Sequence, residues 1–473
     1  MKRILPFLFV VLSLPSWSQM SKQDIVKSID ARYNVYSDKA KQIWSYAEVG
    51  FQEYKSSELL QQGLKDAGFA VTNNVAGMPT AFVATFGSGK PVIGILGEFD
   101  ALPGVAQEAV PELKPIPGQV AGHACGHHLF GVASSAAAIA VKEWLVANKR
   151  QGTIRFYGTP AEEGGSGKVY MVREGLFKDV DIVLHWHPSM ANSASYGSSL
   201  ANKTGKFRFY GVASHAAASP ERGRSALDAV EAMDVMVNML REHVPQETRI
   251  HYVITRGGEA PNVVPAFAEV YYYVRNPKRD NVKSIWERIE KAAQGAAMGT
   301  ETRVEVEVTG GVHELLGNET LAKVMDANLR TVGGYNYTPE ERAFAEKIQK
   351  TFTGQVPPLE STNTIGPLRQ YDGSASTDVG DVSWVVPTVG LGTATWVPGT
   401  SAHSWQAVAA GGTTIGYKGM MMAAKTIALT AVDLYTTPAT IDAAWKEFKS
   451  RTGPEFKYEA LIGDRKPALD YRK

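Results

Sequence analysis

Between Gly122 and Gly131 the chain reads Gly-His-Ala-Cys-Gly-His-His-Leu-Phe-Gly, so three histidines and the protein's single cysteine, Cys125, fall within six residues. Thiolate and imidazole together suit zinc and neighbouring divalent ions, and the small flanking residues let the backbone turn tightly enough to aim several side chains at one point. Taken alone, such a cysteine is ordinarily a small buried hydrophobe, and a histidine beside it a satisfied core group. The surrounding acid and imidazole residues argue for a metal. Glu98 and Asp100 close Pro-Val-Ile-Gly-Ile-Leu-Gly-Glu-Phe-Asp, Glu162 and Glu163 follow Gly-Thr-Ile-Arg-Phe-Tyr-Gly-Thr-Pro-Ala, and His185 and His187 close Asp-Ile-Val-Leu-His-Trp-His. Each group ends a short apolar run of the kind buried parallel strands show, and open α/β sheets place their ligands beyond those strand ends. Three strands therefore deliver metal-type ligands to one sheet edge.

The elements around these groups follow a β-α-β alternation. Helical patterns run from about Ser21 to Glu48 and from Tyr54 to Ala67, ahead of strand-like runs at Thr80 to Phe86 and Pro91 to Asp100. A helix from His128 to Lys149, a strand from Thr153 to Thr159, a helix near Lys168 to Phe177 and the strand ending at His187 continue the pattern, which implies an α/β domain with a mostly parallel sheet flanked by helices. The texture changes near Ala201. A compact α+β insert follows, with strands Phe207 to Val212, Arg249 to Thr255, Ala266 to Val274 and Arg303 to Thr309, and helices Ser225 to Val244 and Asn281 to Met298. Helices resume at Thr320 to Thr331 and at Thr338 to Thr351, the latter opening with a capping box and a proline at its first position. A last strand-like run, Asp381 to Leu391, leads to His403. The expected division is a signal peptide over 1–18, a catalytic domain split into 19–200 and 313–473, and the insert at 201–312.

With 473 residues and 44% hydrophobic content the chain can bury a large core, and its length is a prior for two or three domains. Met-Lys-Arg, the apolar stretch Ile4 to Leu14 and the small residues around Ser18 form an export signal, which places the mature protein in the periplasm or outside the cell. Without that segment the charge is 47 basic against 48 acidic residues, which leaves no footprint for nucleic acid or a membrane surface. A single cysteine forms no internal disulfide, so a free thiol persists in an oxidising compartment either by burial or by coordinating metal, and metal coordination explains why oxidation is tolerated.

The ordered set Gly-Glu-Phe-Asp-Ala-Leu-Pro-Gly, Gly-His-Ala-Cys-Gly-His, Pro-Ala-Glu-Glu-Gly-Gly-Ser-Gly-Lys, Trp-His-Pro, Ala-Ser-His-Ala-Ala, Ala-Pro-Asn-Val-Val-Pro and Ala-His-Ser-Trp-Gln covers nearly all of the mature chain. It resembles the dimeric metal-dependent aminoacylase and glutamate carboxypeptidase amidohydrolases, most closely the aminobenzoyl-glutamate utilisation protein B group. The resemblance implies that the insert is a lid through which a homodimer forms, with a paralogous hetero-subunit as the alternative. It also implies two divalent ions, zinc or manganese, bound by Cys125, His127, Glu163, His187 and His403, with Glu162 as general base and Asp100 among the catalytic groups. His215 would reach the partner's site to steady the oxyanion, and Asn262 and Arg275 would hold the substrate carboxylate. Many relatives carry histidine at Glu98, aspartate at Cys125, and Asp or Asn at His128. His123 and His185 match no family ligand and are expected to support the site from behind.

The chemistry agrees with this carry-over. On an extended segment adjacent carboxylates point to opposite faces, so Glu163 would bind metal while Glu162 addresses the water beside it. The activity implied is hydrolysis of the amide of an N-acyl amino acid such as p-aminobenzoyl-glutamate. Two other classes compete. A hydrolase with Cys125 as nucleophile leaves Glu163, His187 and His403 without a role. An inactive binding homologue has no use for Glu162.

Overall fold

The computed structural model describes residues 19–472; the expected signal peptide lies outside the described residues. A seven-stranded sheet runs in the order Ala70–Asn73, Phe82–Ser88, Gly152–Gly158, Val92–Gly97, Ile182–Ser189, Thr388–Ala394 and Ser193–Ser195. The four strands from Gly152–Gly158 to Thr388–Ala394 are mutually parallel, and antiparallel strands close both sides. The parallel reading thus holds for the centre, where strands such as Val92–Gly97 are buried along their whole length, and fails at the edges.

Helix His127–Ala147 lies against this sheet and carries the cysteine-histidine cluster at its N-terminus. By length and composition it is apolar enough to cross a bilayer, yet it is packed inside the core with helix Thr414–Thr436. Its Ala-rich middle, Ala136 to Ala138, brings neighbouring backbones close. The pattern expected as one helix from Ser21 to Glu48 is two, Lys22–Asp30 and Tyr33–Tyr46, separated at Ala31 and Arg32. The run from Asp381 to Leu391 is also corrected. Val379, Val382 and Val386 recur at helical spacing and all are buried, so a short helix, Val379–Ser383, precedes the strand Thr388–Ala394.

A second, antiparallel sheet of four strands has the order Arg249–Arg256, Phe267–Asn276, Ala201–Tyr210 and Arg303–Val312. Its first strand begins six residues before the expected Phe207, because Asn202 to Lys206 pair on both sides despite their polarity. Helices Ala226–Leu240 and Arg279–Gly299 cover one face around Phe207, Tyr272 and Trp286. The opposite face is polar, with Arg208 bridging Glu269 and Glu307. Strand Arg249–Arg256 is a free edge within this chain and exposes Val253 and Ile254.

Candidate active site

Gly126 takes φ +78° as the residue before helix His127–Ala147, and a Cβ there would stand 2.7 Å from Pro188. Only glycine tolerates that left-handed turn and close approach, and the turn places Cys125 and His127 side by side at the helix start. His187 arrives from the adjacent strand. It lies two residues before the end of Ile182–Ser189, opposite Gly392 rather than beyond the sheet. His403 enters from a loop, with its backbone N–H donating to the Ala124 carbonyl.

The Glu162-Glu163 pair is not extended as expected. Ala161 and Ser166 are left-handed, with φ +55° and +58°, Glu163 has φ −69° and ψ 65°, and Gly164 has φ +90°. The pair occupies a tight irregular turn between strand Gly152–Gly158 and helix Gly167–Arg173. Two side chains fix it: Glu53 accepts from the Ala161 N–H at 2.8 Å and Asp100 from the Glu163 N–H at 2.9 Å. The two carboxyls still separate, through the turn rather than the period of a strand.

Ligand atoms of Cys125, His127 and His187 lie within 4.8 Å of one another, and so do those of Cys125, Glu163 and His403. Cys125 is common to both sets. The Cys125 Sγ to His187 Nε2 distance is 3.4 Å, and His403 Nε2 stands 3.2 Å from Glu163 Oε1. Buried atoms His127 Nε2, Glu98 Oε2 and Glu163 Oε1 make no well-aligned hydrogen bond among the described residues, although His127 Nε2 lies 3.0 Å from Glu98 Oε2 and Glu163 Oε1 lies 3.2 Å from His403 Nε2. Converging lone pairs without donors are costly to bury, and a divalent cation satisfies them. The chemistry of these donors fits divalent metal, which Cys125, His127, Glu163, His187 and His403 would hold.

Behind the ligands, Asp100 accepts from His127 Nδ1 at 2.8 Å, fixing the ring with Nε2 toward the cluster. Asp100 therefore acts as a positioning residue for both His127 and Glu163. His187 Nδ1 is held by the Pro188 carbonyl at 2.7 Å. Glu162 groups with Glu98 and His127, and its pKa is raised well above the usual carboxylate range by burial and by the charges of Glu98 and Glu163. Burial pushes the Cys125 thiol up, against the opposing pull of His127.

Sequence reasoning gave no role to Lys168, fully buried within this cluster. Its Nζ bridges Glu98 Oε1 at 2.6 Å and Asp378 Oδ1 at 2.7 Å, and Asp378 Oδ2 accepts from its backbone N–H. Burial alone would raise the Glu98 pKa, but Lys168 and His127 hold it below its ordinary value. The only signal in the sequence was a lysine behind Gly-Ser-Gly, too brief to reveal an ion pair between residues 210 positions apart. Of the other histidines, His123 and His128 meet with ring centroids 4.9 Å apart in a tilted arrangement and bond the Ile43 and Gly411 carbonyls, so both are buried supports. His185 lines a cavity of about 190 Å³ next to His187.

His215 and Asn262 are exposed on the insert and adjoin one another: His215 bridges Val263, and the Asn262 carbonyl accepts from Ala216. His215 Nδ1 accepts from the Ala217 and Ala218 N–H groups, and neither residue joins the ligand cluster of its own chain. Arg275 lines a separate cleft of about 780 Å³ between insert and catalytic domain, together with Arg249, Lys278 and Tyr196. Tyr196 and Gly197 also line the small cavity beside His187. The buried Arg275 Nε has no partner among the described residues.

Residues 201–301 match the family model described as a peptidase dimerisation domain. Over 453 residues the chain is 44% identical to the B-type subunit of p-aminobenzoyl-glutamate hydrolase from Escherichia coli K12, covering 90% of this chain and 94% of that protein. Among solved structures it resembles an aminobenzoyl-glutamate utilization protein from Klebsiella pneumoniae, with TM-score 0.62 at 17% identity, covering 86% of this chain and 98% of that one. It also resembles a dinuclear metal-binding M20 peptidase from Bacillus subtilis, with TM-score 0.57 at 17% identity, covering 86% and 99%.

Proposed function

The chain belongs to the M20 peptidase family and is a hydrolase of amide bonds, and from that premise we propose that it cleaves an N-acyl amino acid, with p-aminobenzoyl-glutamate as the first substrate to test. The observation that carries the mechanism is the sharing of Cys125 between two sets of ligand atoms. His127 and His187 complete one set, and Glu163 and His403 the other. Divalent ions bound by these residues would supply Lewis acidity and would lower the pKa of a bound water from 15.7 toward ~7. Thiolate and imidazole donors favour zinc over manganese.

Glu162, grouped with Glu98 and His127, takes the proton of the attacking water and returns it to the leaving amine. Asp100 keeps His127 and Glu163 in register. Arg275, whose buried Nε has no partner among the described residues, gives the neighbouring cleft a guanidinium that can bind a substrate carboxylate bidentately, in a lining where Arg249, Lys278 and Arg451 face Glu247, Glu314 and Asp372. His215, on the insert and apart from its own cluster, serves the site of a second subunit, either another copy of this chain or a homologue of the A-type subunit. The mature enzyme works after export, in the periplasm or outside the cell.

The test is a panel of N-acyl amino acids and dipeptides offered to protein purified without chelator, with release of the free amino acid measured and metal counted by elemental analysis. Two ions per chain and hydrolysis that chelator abolishes and a divalent ion restores are expected. Absence of stoichiometric metal, with turnover surviving prolonged chelation, would overturn the mechanism.

A further inference from the structure

After helix Pro438–Thr452, residues 453–472 form no helix or strand, yet they are tied down along their length. Phe456 packs on Trp384 at 4.9 Å, and the Tyr458 hydroxyl donates to Asp381 at 2.7 Å. Glu459 pairs with Lys283 of the insert, and Leu461 enters the insert's core while Ile462 enters that of the catalytic domain. Arg173 donates to the Gly463 and Arg465 carbonyls, and Gln52 to that of Leu469. The segment is a strap, and it ends at the metal turn. The Tyr471 hydroxyl and Arg472 Nη2 both donate to the Glu163 carbonyl, at 3.0 and 2.9 Å.

That landing site is built to receive it. The Tyr471 hydroxyl lies where a Cβ on Gly50 would come within 2.2 Å, and a Cβ on Gly165 within 3.2 Å. Its ring meets Phe51 edge-on at 5.6 Å. The turn needs such support, because left-handed Ala161 and Ser166 flank Glu163 and such conformations persist only where the surroundings enforce them. Asp100 secures the N–H of Glu163, and the strap secures its carbonyl. We propose that Tyr471 and Arg472 are positioning residues that clamp the Glu162-Glu163 turn in its working geometry. The assignment rests on the amidohydrolase reading above for the roles of the two glutamates.

The variants are Tyr471→Phe, which keeps the ring in its cradle, Arg472→Gln, and the double substitution, with Arg472→Lys as the conservative return of a donor. Amide hydrogen exchange over residues 161–166 is read with and without metal, and kcat and KM are measured on whichever amide the wild type cleaves. The double variant is expected to exchange at least tenfold faster over 161–166. Its kcat should fall tenfold or more with KM within twofold, at a melting temperature close to wild type, and Arg472→Lys should recover most of the loss seen in Arg472→Gln. Unchanged exchange at the turn, or a loss confined to KM, overturns the clamp. Exchange does not depend on substrate, so faster exchange in a protein whose wild type cleaves no amide would instead reject the proposed function and leave the clamp standing.

Discussion

Replacing Lys168 with methionine keeps the length and apolar stem of the side chain and deletes one buried charge. In the wild type, Nζ lies 2.6 Å from Glu98 and 2.7 Å from Asp378, and all three side chains are at most 1% exposed. Lys168→Met therefore leaves Asp378 in a dry interior without its cation, and Glu98 with only His127 beside it. Breaking a buried pair in this way costs roughly 3–5 kcal/mol, mostly for the uncompensated charge that remains. With a urea slope of about 3 kcal/mol per molar for a chain of this size, the unfolding midpoint of the metal-stripped protein should fall by about 1–1.7 M. Tryptophan fluorescence reports the catalytic domain, since Trp286 is the only tryptophan of the insert. Adding Asp378→Asn removes the orphaned carboxylate and should recover about 1–3 kcal/mol, or roughly half a molar. A single variant whose midpoint stays within about 0.3 M of wild type would mean that Glu98 and Asp378 are neutral in the native protein, and the ion-pair account would be wrong. A double variant less stable than the single one would refute the same account.

Glu162→Gln should retain metal content and substrate affinity while kcat falls by at least 10²-fold, the low end for a positioned general base; near-normal turnover would remove it from proton transfer. Mixing inactive Glu162→Gln chains with inactive His215→Ala chains should restore activity through heterodimers with one intact composite site, and confirmed exchange of chains without regained turnover would reject shared sites. Burial raises the Asp381 carboxyl to about 7 against the bonds it accepts from Tyr458 and His313. Because this pKa lies above the unfolded value of 3.8, the native state holds the extra proton, so the group's contribution is full at low pH and lost as pH rises toward 7. The stability margin of wild type over Asp381→Asn should accordingly narrow between about pH 4 and pH 7 and level off above, and a margin that widens would show the carboxyl to be ionised throughout.

The cysteine-histidine cluster was legible because its residues are neighbours in sequence and their types have few other uses together. The strands before Glu98 and Glu162 were legible from their continuous apolar runs. What stayed hidden is held by distant partners. Nothing near Lys168 announces Asp378, and nothing near Glu163 announces Tyr471, 308 residues later. The irregular turn at Glu162-Glu163 was read as extended because its glycines fit either conformation, and tertiary contacts from Glu53 and Asp100 decide. The edge strand Ala70–Asn73 escaped notice because its residues are mostly exposed and carry no apolar run.

The parallel pairing of Ile182–Ser189 with Thr388–Ala394 spans the whole insert, which sets an order of assembly during synthesis. The insert's own strand pairings lie within residues 201–312, so this unit has its partners as soon as it leaves the ribosome. The strand bearing His187 has Val92–Gly97 on one side from the start but waits some two hundred residues for its other neighbour, Thr388–Ala394, and His403 follows later still. The cluster is therefore completed late in synthesis: the first half of the chain supplies Cys125, His127, Glu163 and His187, and His403, the last of the grouped side chains, comes only with the second half.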